Sequence, residues 1–423
     1  MCRRTPCLLL LGGLFLGLSF PVFAELFRGP EFLANGRRAG KQGGPDVAMA
    51  PDGHFVVVWV DGGSRGAPAN VMARVFSPAG TPRTPDLRVS ASEPGFQDEP
   101  RVAVDAAGGF VVVWQSRTPA DAVPKVYGRF FRADGKPLGE RFRLGKGLGR
   151  AQSQPEVART PDGRFIVAWT ELDGRISDPY FRFPTNDVFL RRFSPEGKAR
   201  GRELNVGGPG FQFDPALAVN SAGDFALAYS VEAGDSDAED LGGVVVGLFT
   251  KDGLLRRELF PDFETDNYQT RPGVALAEDG GVVLVWRYFE RDPKAFEGLH
   301  GQRFGADGAP LSEMFHVDTT PSRRIFDPVI AQAADGSFLV AWMQFGGRDG
   351  DGRGVFAQRF AADGSKTGPE VSLATWTAGN QSAPALSAAP DGRGIAVWQS
   401  MRRDGDDFGV AARLLEIGEA DPK

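Results

Sequence analysis

Cysteine is nearly missing from this chain: Cys2 and Cys7 are the only two among 423 residues, and neither lies beyond the first dozen positions. Past that point no disulfide framework and no thiol chemistry is open to the protein. Histidine is almost as scarce. His54, His300 and His316 have no ligand spacing, which removes the usual histidine metal sites from consideration. Downstream of residue 24 no apolar run approaches the twenty residues a membrane helix needs, so no membrane anchor is expected. Positive charge is also short.

The first 24 residues read as an export leader. Arg3 and Arg4 precede the apolar stretch Leu8 to Leu18, and Val22-Phe23-Ala24 offers the small residues a signal peptidase accepts. Cleavage there removes both cysteines. It also takes the 48 lysines and arginines to 46, against 54 acidic residues, a formal net charge of −8. That balance argues against nucleic acid or an anionic membrane as partner. The expected product is an exported protein, periplasmic or extracellular and monomeric, with residues 25–423 forming one domain.

What is abundant is repetition. Pro45, Pro100, Pro155, Pro215, Pro272, Pro328 and Pro384 lie 55 to 60 residues apart. Fourteen residues after each comes an aromatic: Trp59, Trp114, Trp169, Tyr229, Trp286, Trp342 and Trp398. Eight residues after each comes Gly53, Gly108, Gly163, Gly223, Gly280, Gly336 or Gly392. A period of this length denotes one supersecondary unit used seven times.

In the first copy, Asp46 to Ala50 reads as a strand, Pro51-Asp52-Gly53 as a tight turn needing positive φ, and His54 to Trp59 as a second strand. Asn70 to Phe76 and Asp86 to Ser90 read as the third and fourth. Segments such as FVVVW and FIVAW are apolar at every position, so both faces of the second strand must be covered, by a neighbouring unit on each side. The recurrent aromatic that ends it is expected to be packing rather than a binding cage. Four-stranded antiparallel units packed face to face in a ring are the blades of a β-propeller.

The last copy ends without room for a fourth strand. Gly29 to Pro45 aligns without a gap to Gly368 to Pro384, so residues 25–44 are expected to supply that strand and the loop after it. The chain thus resembles WD40-type and other seven-bladed propellers over nearly all of residues 25–423, although it lacks the Trp-Asp dipeptide of WD40, the double glycine of kelch and the sialidase boxes. Its short PDG or ADG turn is similar to that of secreted bacterial propellers of the TolB and YVTN kind. The resemblance implies an all-β, seven-bladed architecture.

The short turns fall on one face of such a ring, and the variable loops on the other, where binding residues concentrate. Three polar sets belong there. Gln42, Gln97, Gln152, Gln212, Gln269 and Gln381 precede the prolines by three residues, Ile325 being the exception, and are read as blade-bridging amides or as a polar rim of the channel. Asp98, Glu99, Asp214, Arg271, Arg324 and Asp327 cluster just before the prolines and supply acid–base groups. Asp349, Asp351, Asp404, Asp406 and Asp407, with a further acidic loop at 235–240, are candidate calcium ligands, calcium being the one cofactor the sequence admits. The expected function is a non-catalytic scaffold presenting its loop-rich face to a protein, peptide or glycan. The alternative is a hydrolase or lyase whose carboxylates and arginines converge at the channel mouth.

Overall fold

A computed structural model describes residues 26–62, 68–90, 95–119, 123–146, 150–172, 186–207, 210–232, 242–261, 267–290, 297–319, 324–403, 405 and 407–418. Residues 1–25, which include the expected leader, lie outside them, as do the acidic loop at 235–240, Asp404 and Asp406. The described residues form seven four-stranded antiparallel sheets and no helix. Inner strands are Gln42–Met49, Phe96–Val104, Ala151–Arg159, Phe211–Val219, Asn267–Leu276, Ile325–Gln332 and Gln381–Ala388. Each packs beside the inner strands of both neighbours, the last against the first, so the sheets are the blades of one ring.

Blade three shows the unit. Ala151–Arg159 pairs with Phe165–Leu172, which pairs with Asn186–Phe193, which pairs with Ala199–Asn205. The seventh blade is assembled from both ends of the chain: Phe32 and Leu33 pair with Ala412 and Ala411 on Phe408–Glu416, in the outer-strand place. The glycine of every first turn has positive φ, between 81° and 90°. That is the conformation the sequence assigned to it.

The core is a series of layers between blades. Val56 and Val58 of the first second-strand pack against Val102, Phe110 and Trp114 of the next blade, and Trp169 packs against Val111, Val113 and Phe130 of the blade before it. The six tryptophans at the recurrent position are at most 1% exposed and Tyr229 is 4% exposed, so the recurrent aromatic is packing. In five blades the first residue of the second strand stacks on the last of the third, as Phe165 does on Phe193 with centroids 4.8 Å apart.

A carboxylate at the outer strand clamps the connection that enters its own blade. Glu203 accepts from Lys146 N at 2.7 Å, and Glu370 from Thr319 N at 2.9 Å. Asp86 accepts from Gly36 N at 3.0 Å and Arg37 N at 2.8 Å. In the composite blade the acid is Glu31, whose carboxylate accepts from Thr375 N and Oγ1, both at 2.7 Å, and from Arg403 Nε at 3.0 Å.

Candidate functional site

Every inner strand begins earlier than the sequence suggested and carries a bulge at the same place. Its register slips across the proline and the residue before it, and these two stand opposite the recurrent aromatic: Gln154 and Pro155 face Trp169, between the pairs Ser153 with Thr170 and Glu156 with Ala168. Proline has no N–H to give the ladder, so a bulge is where a strand tolerates it best. The residue before the proline is left-handed in all seven blades. Gly44, Glu99, Gln154, Asp214, Arg271, Asp327 and Ala383 have φ between 50° and 55°. For an L-residue this conformation costs about 1–2 kcal/mol, strain of a kind that concentrates at functional sites.

The bulges aim these seven positions into the mouth of the central channel, and all seven line a cavity of about 670 Å³. Five are polar and run in sequence around the ring. Glu99 Oε2 accepts from Gln154 N at 2.7 Å, and Gln154 Nε2 donates to Asp214 Oδ1 at 2.6 Å. Gln154 Oε1 takes the Thr170 hydroxyl at 2.8 Å and Asp214 N at 3.2 Å. Arg271 then ion-pairs with Asp327. Gly44 and Ala383 complete the ring with almost no side chain.

One step beyond each proline the wall changes character by sector. Asp46, Arg101 and Glu156 line it in the first three blades, whereas Ala216, Gly273, Val329 and Ala385 line it in the other four, with Leu217, Val274, Ile330 and Leu386 beside them. Arg101 Nε donates to Glu156 Oε1 at 2.6 Å, and Asp46 Oδ2 accepts from Val102 N at 2.8 Å. Arg101 thus ion-pairs with Glu156, and its charge also acts on Asp46. Burial pushes Glu156 up to about 7, with Asp46 adding to the rise and Arg101 opposing it. Burial raises Asp46 as well, against Arg101. Burial and the neighbouring Glu99 charge lift Asp98 to about 6, and burial raises Asp214 against the pull of Arg271.

Asp98, Glu99, Asp214, Arg271 and Asp327 thus all line this one cavity. Arg324 does not join them. It lies outside the cavity with its guanidinium over the Phe345 ring, 5.9 Å from the centroid. The glutamines are placed elsewhere too. Gln42, Gln97, Gln152, Gln212, Gln269 and Gln381 are at most 3% exposed and none lines the cavity, so these six amides do not form its rim. Gln97 Oε1 accepts from Trp114 Nε1 at 2.9 Å. Gln152 reaches Glu171 in its own blade at 2.8 Å and Val126 N of the preceding blade at 3.4 Å, and Asn35 of the closing segment donates to Gln42 Oε1 at 3.3 Å.

Of the calcium candidates, Asp351 accepts from Gly379 N at 2.9 Å, Asp349 is half-buried with its carboxyl raised by that burial, and Asp407 gives its backbone carbonyl to Arg402 N. Among the described residues no group of three or more acidic, histidine or cysteine side chains is arranged to hold a metal. His300 and His316 do meet, with Nε2 and Nδ1 3.0 Å apart, but outside the cavity lining, and burial followed by the His316 charge pushes His300 down to about 4.

Asp46, Arg101, Gln154 and Glu156 escaped the sequence reading. Their signal was present as contrast: in an otherwise fixed frame, the positions on either side of the proline are Gly, Glu, Gln, Asp, Arg, Asp, Ala and Asp, Arg, Glu, Ala, Gly, Val, Ala.

No helix among the described residues is long and apolar enough to cross a membrane. No family model matches the chain, and no curated protein matches it. Solved structures do, at low identity. A protein of unknown function from Dyadobacter fermentans DSM 18053 is 12% identical with a TM-score of 0.53, over 78% of this chain and 98% of its own. A polysaccharide lyase, Uly1, is 11% identical with a TM-score of 0.53, over 88% and 90%. Puromycin hydrolase is 17% identical with a TM-score of 0.53, over 91% of this chain and 55% of its own length. At these identities the likeness is one of fold: the chain is a seven-bladed β-propeller.

Proposed function

We propose that the channel mouth is a binding site for a neutral glycan on an exported protein. The observation that carries this reading is the mixed lining of the cavity, hydrogen-bonding groups from Glu99 through Asp327 just before the prolines and, just past the prolines of blades four to seven, a wall of small and aliphatic side chains. A sugar ring has the same division, a hydroxyl edge and a C–H face. Six carboxylates in the lining, against two arginines and Lys41, select against polyanionic chains. Of the ligand classes open to a loop-rich face, a glycan therefore fits best, and the fold shared with a polysaccharide lyase agrees with it. The export leader gives it access to such ligands. The test is calorimetric titration with neutral oligosaccharides: Asp214→Ala is expected to weaken binding about tenfold or more without moving the urea midpoint. A wild-type protein that binds none of them refutes the reading.

A second reading, catalysis, is favoured by Asp98 and Glu156, whose carboxyls are raised to about 6 and about 7, where a group holds a proton near neutral pH and can give it to a leaving oxygen. Release of new reducing ends from a neutral polysaccharide, abolished by both Asp98→Asn and Glu156→Gln, is its signature. Binding without turnover leaves the scaffold reading alone.

A further inference from the structure

The cavity is not symmetrical about the ring. In blades three to seven its lining stays on the inner strand, with Gln399 the single exception. Over blade one it runs outward. There it continues past Lys41 and Gly44 to Val60 and Gly62 on the second strand and Ala69 on the third, and is flanked by Phe96 at the start of the next blade. The described residues thus enclose a keyhole, a central well with one radial arm.

Three features of this sector suit the arm to a ligand. The threshold between well and arm is Gly43-Gly44, the only place in the ring where both residues before the proline lack a side chain. A Cβ on Gly43 would lie 2.1 Å from Gln399 Oε1, the atom that accepts from Gly44 N at 3.2 Å, so the Gln399 side chain would have to swing away to admit one. A Cβ on Gly44 meets nothing within 4 Å, so the step is open. Phe96 is 37% exposed beside the arm, and an exposed ring of this kind offers its face to the C–H face of a sugar.

We infer that the site takes a chain of at least two sugar units, one seated in the well among Glu99, Gln154 and Asp214, and the next lying over Gly44 along blade one against Phe96. This rests on the glycan reading and adds to it a length requirement and a direction of exit. Single sugars and chains share the well, so only chains use the arm.

The experiment is titration calorimetry with homologous neutral gluco-, xylo- and manno-oligosaccharides, from monosaccharide to hexasaccharide. In the series that binds, affinity is expected to rise about tenfold or more from the monosaccharide to the trisaccharide. Phe96→Ala is expected to remove that gain while leaving the monosaccharide affinity within about twofold. Gly44→Gln is the second variant. It raises a side chain on the threshold, and its left-handed backbone is one that Gln154 already adopts at the equivalent place, with φ 50° against 55°. It should weaken trisaccharide binding about tenfold or more beyond any effect on the monosaccharide. Equal affinity at every length, or a gain that survives both variants, overturns the arm and leaves the well standing. Absence of binding at any length overturns the glycan reading, and the arm with it.

Discussion

Ring closure rests on a short segment, with Phe32 and Leu33 paired to the last strand and Leu26, Phe27, Arg28 and Ala34 also bonded to it, and the perturbation that tests it most directly is Glu31→Ala. The Glu31 side chain is 1% exposed and its carboxylate takes two backbone N–H groups, a hydroxyl and a guanidinium, with Trp376 N at 3.3 Å as the weakest partner. A hydrogen bond to a charged group contributes about 1.5–3 kcal/mol net, but the bonds do not add, and Thr375 and Trp376 are exposed enough for water to replace part of what is lost. Truncation to alanine is therefore expected to cost about 2–4 kcal/mol in a urea melt. Glu31→Gln keeps one carbonyl acceptor and should cost about 1 kcal/mol. The loss is local in origin. Hydrogen exchange at Ala34, whose N–H bonds Val410 O at 2.8 Å, should quicken before exchange at Val206, which makes the equivalent bond to Val188 O in blade three. An unchanged midpoint for Glu31→Ala, or equal acceleration of the two amides, refutes the clamp.

Three other outcomes are expected. Trp169→Ala should lose about 3–5 kcal/mol of stability with no loss of binding beyond the unfolded fraction, and a wild-type midpoint in a denaturant melt would remove the packing role. Gln97→Ala should cost about 1–3 kcal/mol because it strands the buried Trp114 Nε1; a melt identical to wild type would mean that water reaches the indole. Glu156 holds its proton more tightly in the fold than in the unfolded chain, 4.5 moving to about 7, so the fold favours the neutral acid and wild-type stability declines as pH rises through that window. Glu156→Gln, fixed in the neutral form, should flatten the decline, and parallel stability curves for the two proteins from pH 4.5 to 7 would contradict it.

The fold was legible because its signals are local and repeated. Gly163 marks a turn, FIVAW marks a strand covered on both faces, and the match between residues 29–45 and 368–384 places the last strand. The bulge was not legible. Nothing in one proline shows that Gln154 turns left-handed, and that twist decides which side chains reach the channel. It sends Glu99 and Asp214 inward and leaves Arg324, only three residues ahead of Asp327, on a phenylalanine ring outside. The glutamines recurred for the opposite reason. A residue that repeats in every blade serves what all blades share, as Gln152 does in tying one blade to the next. The positions that differ are the ones that line the channel mouth.

Because each blade delivers one residue to the mouth through the same backbone kink, scaffold and preference are written in separate places. The residue just before each proline lies outside the apolar layers packed between blades, so substituting it alters one of seven donors, acceptors or gaps around the channel mouth. The present spelling, Gly-Glu-Gln-Asp-Arg-Asp-Ala, already mixes both charges with a neutral amide and two openings, all on a left-handed backbone. In the proposed glycan site, a different ligand would be met by respelling that word one letter at a time, without rewriting the apolar layers that close the ring.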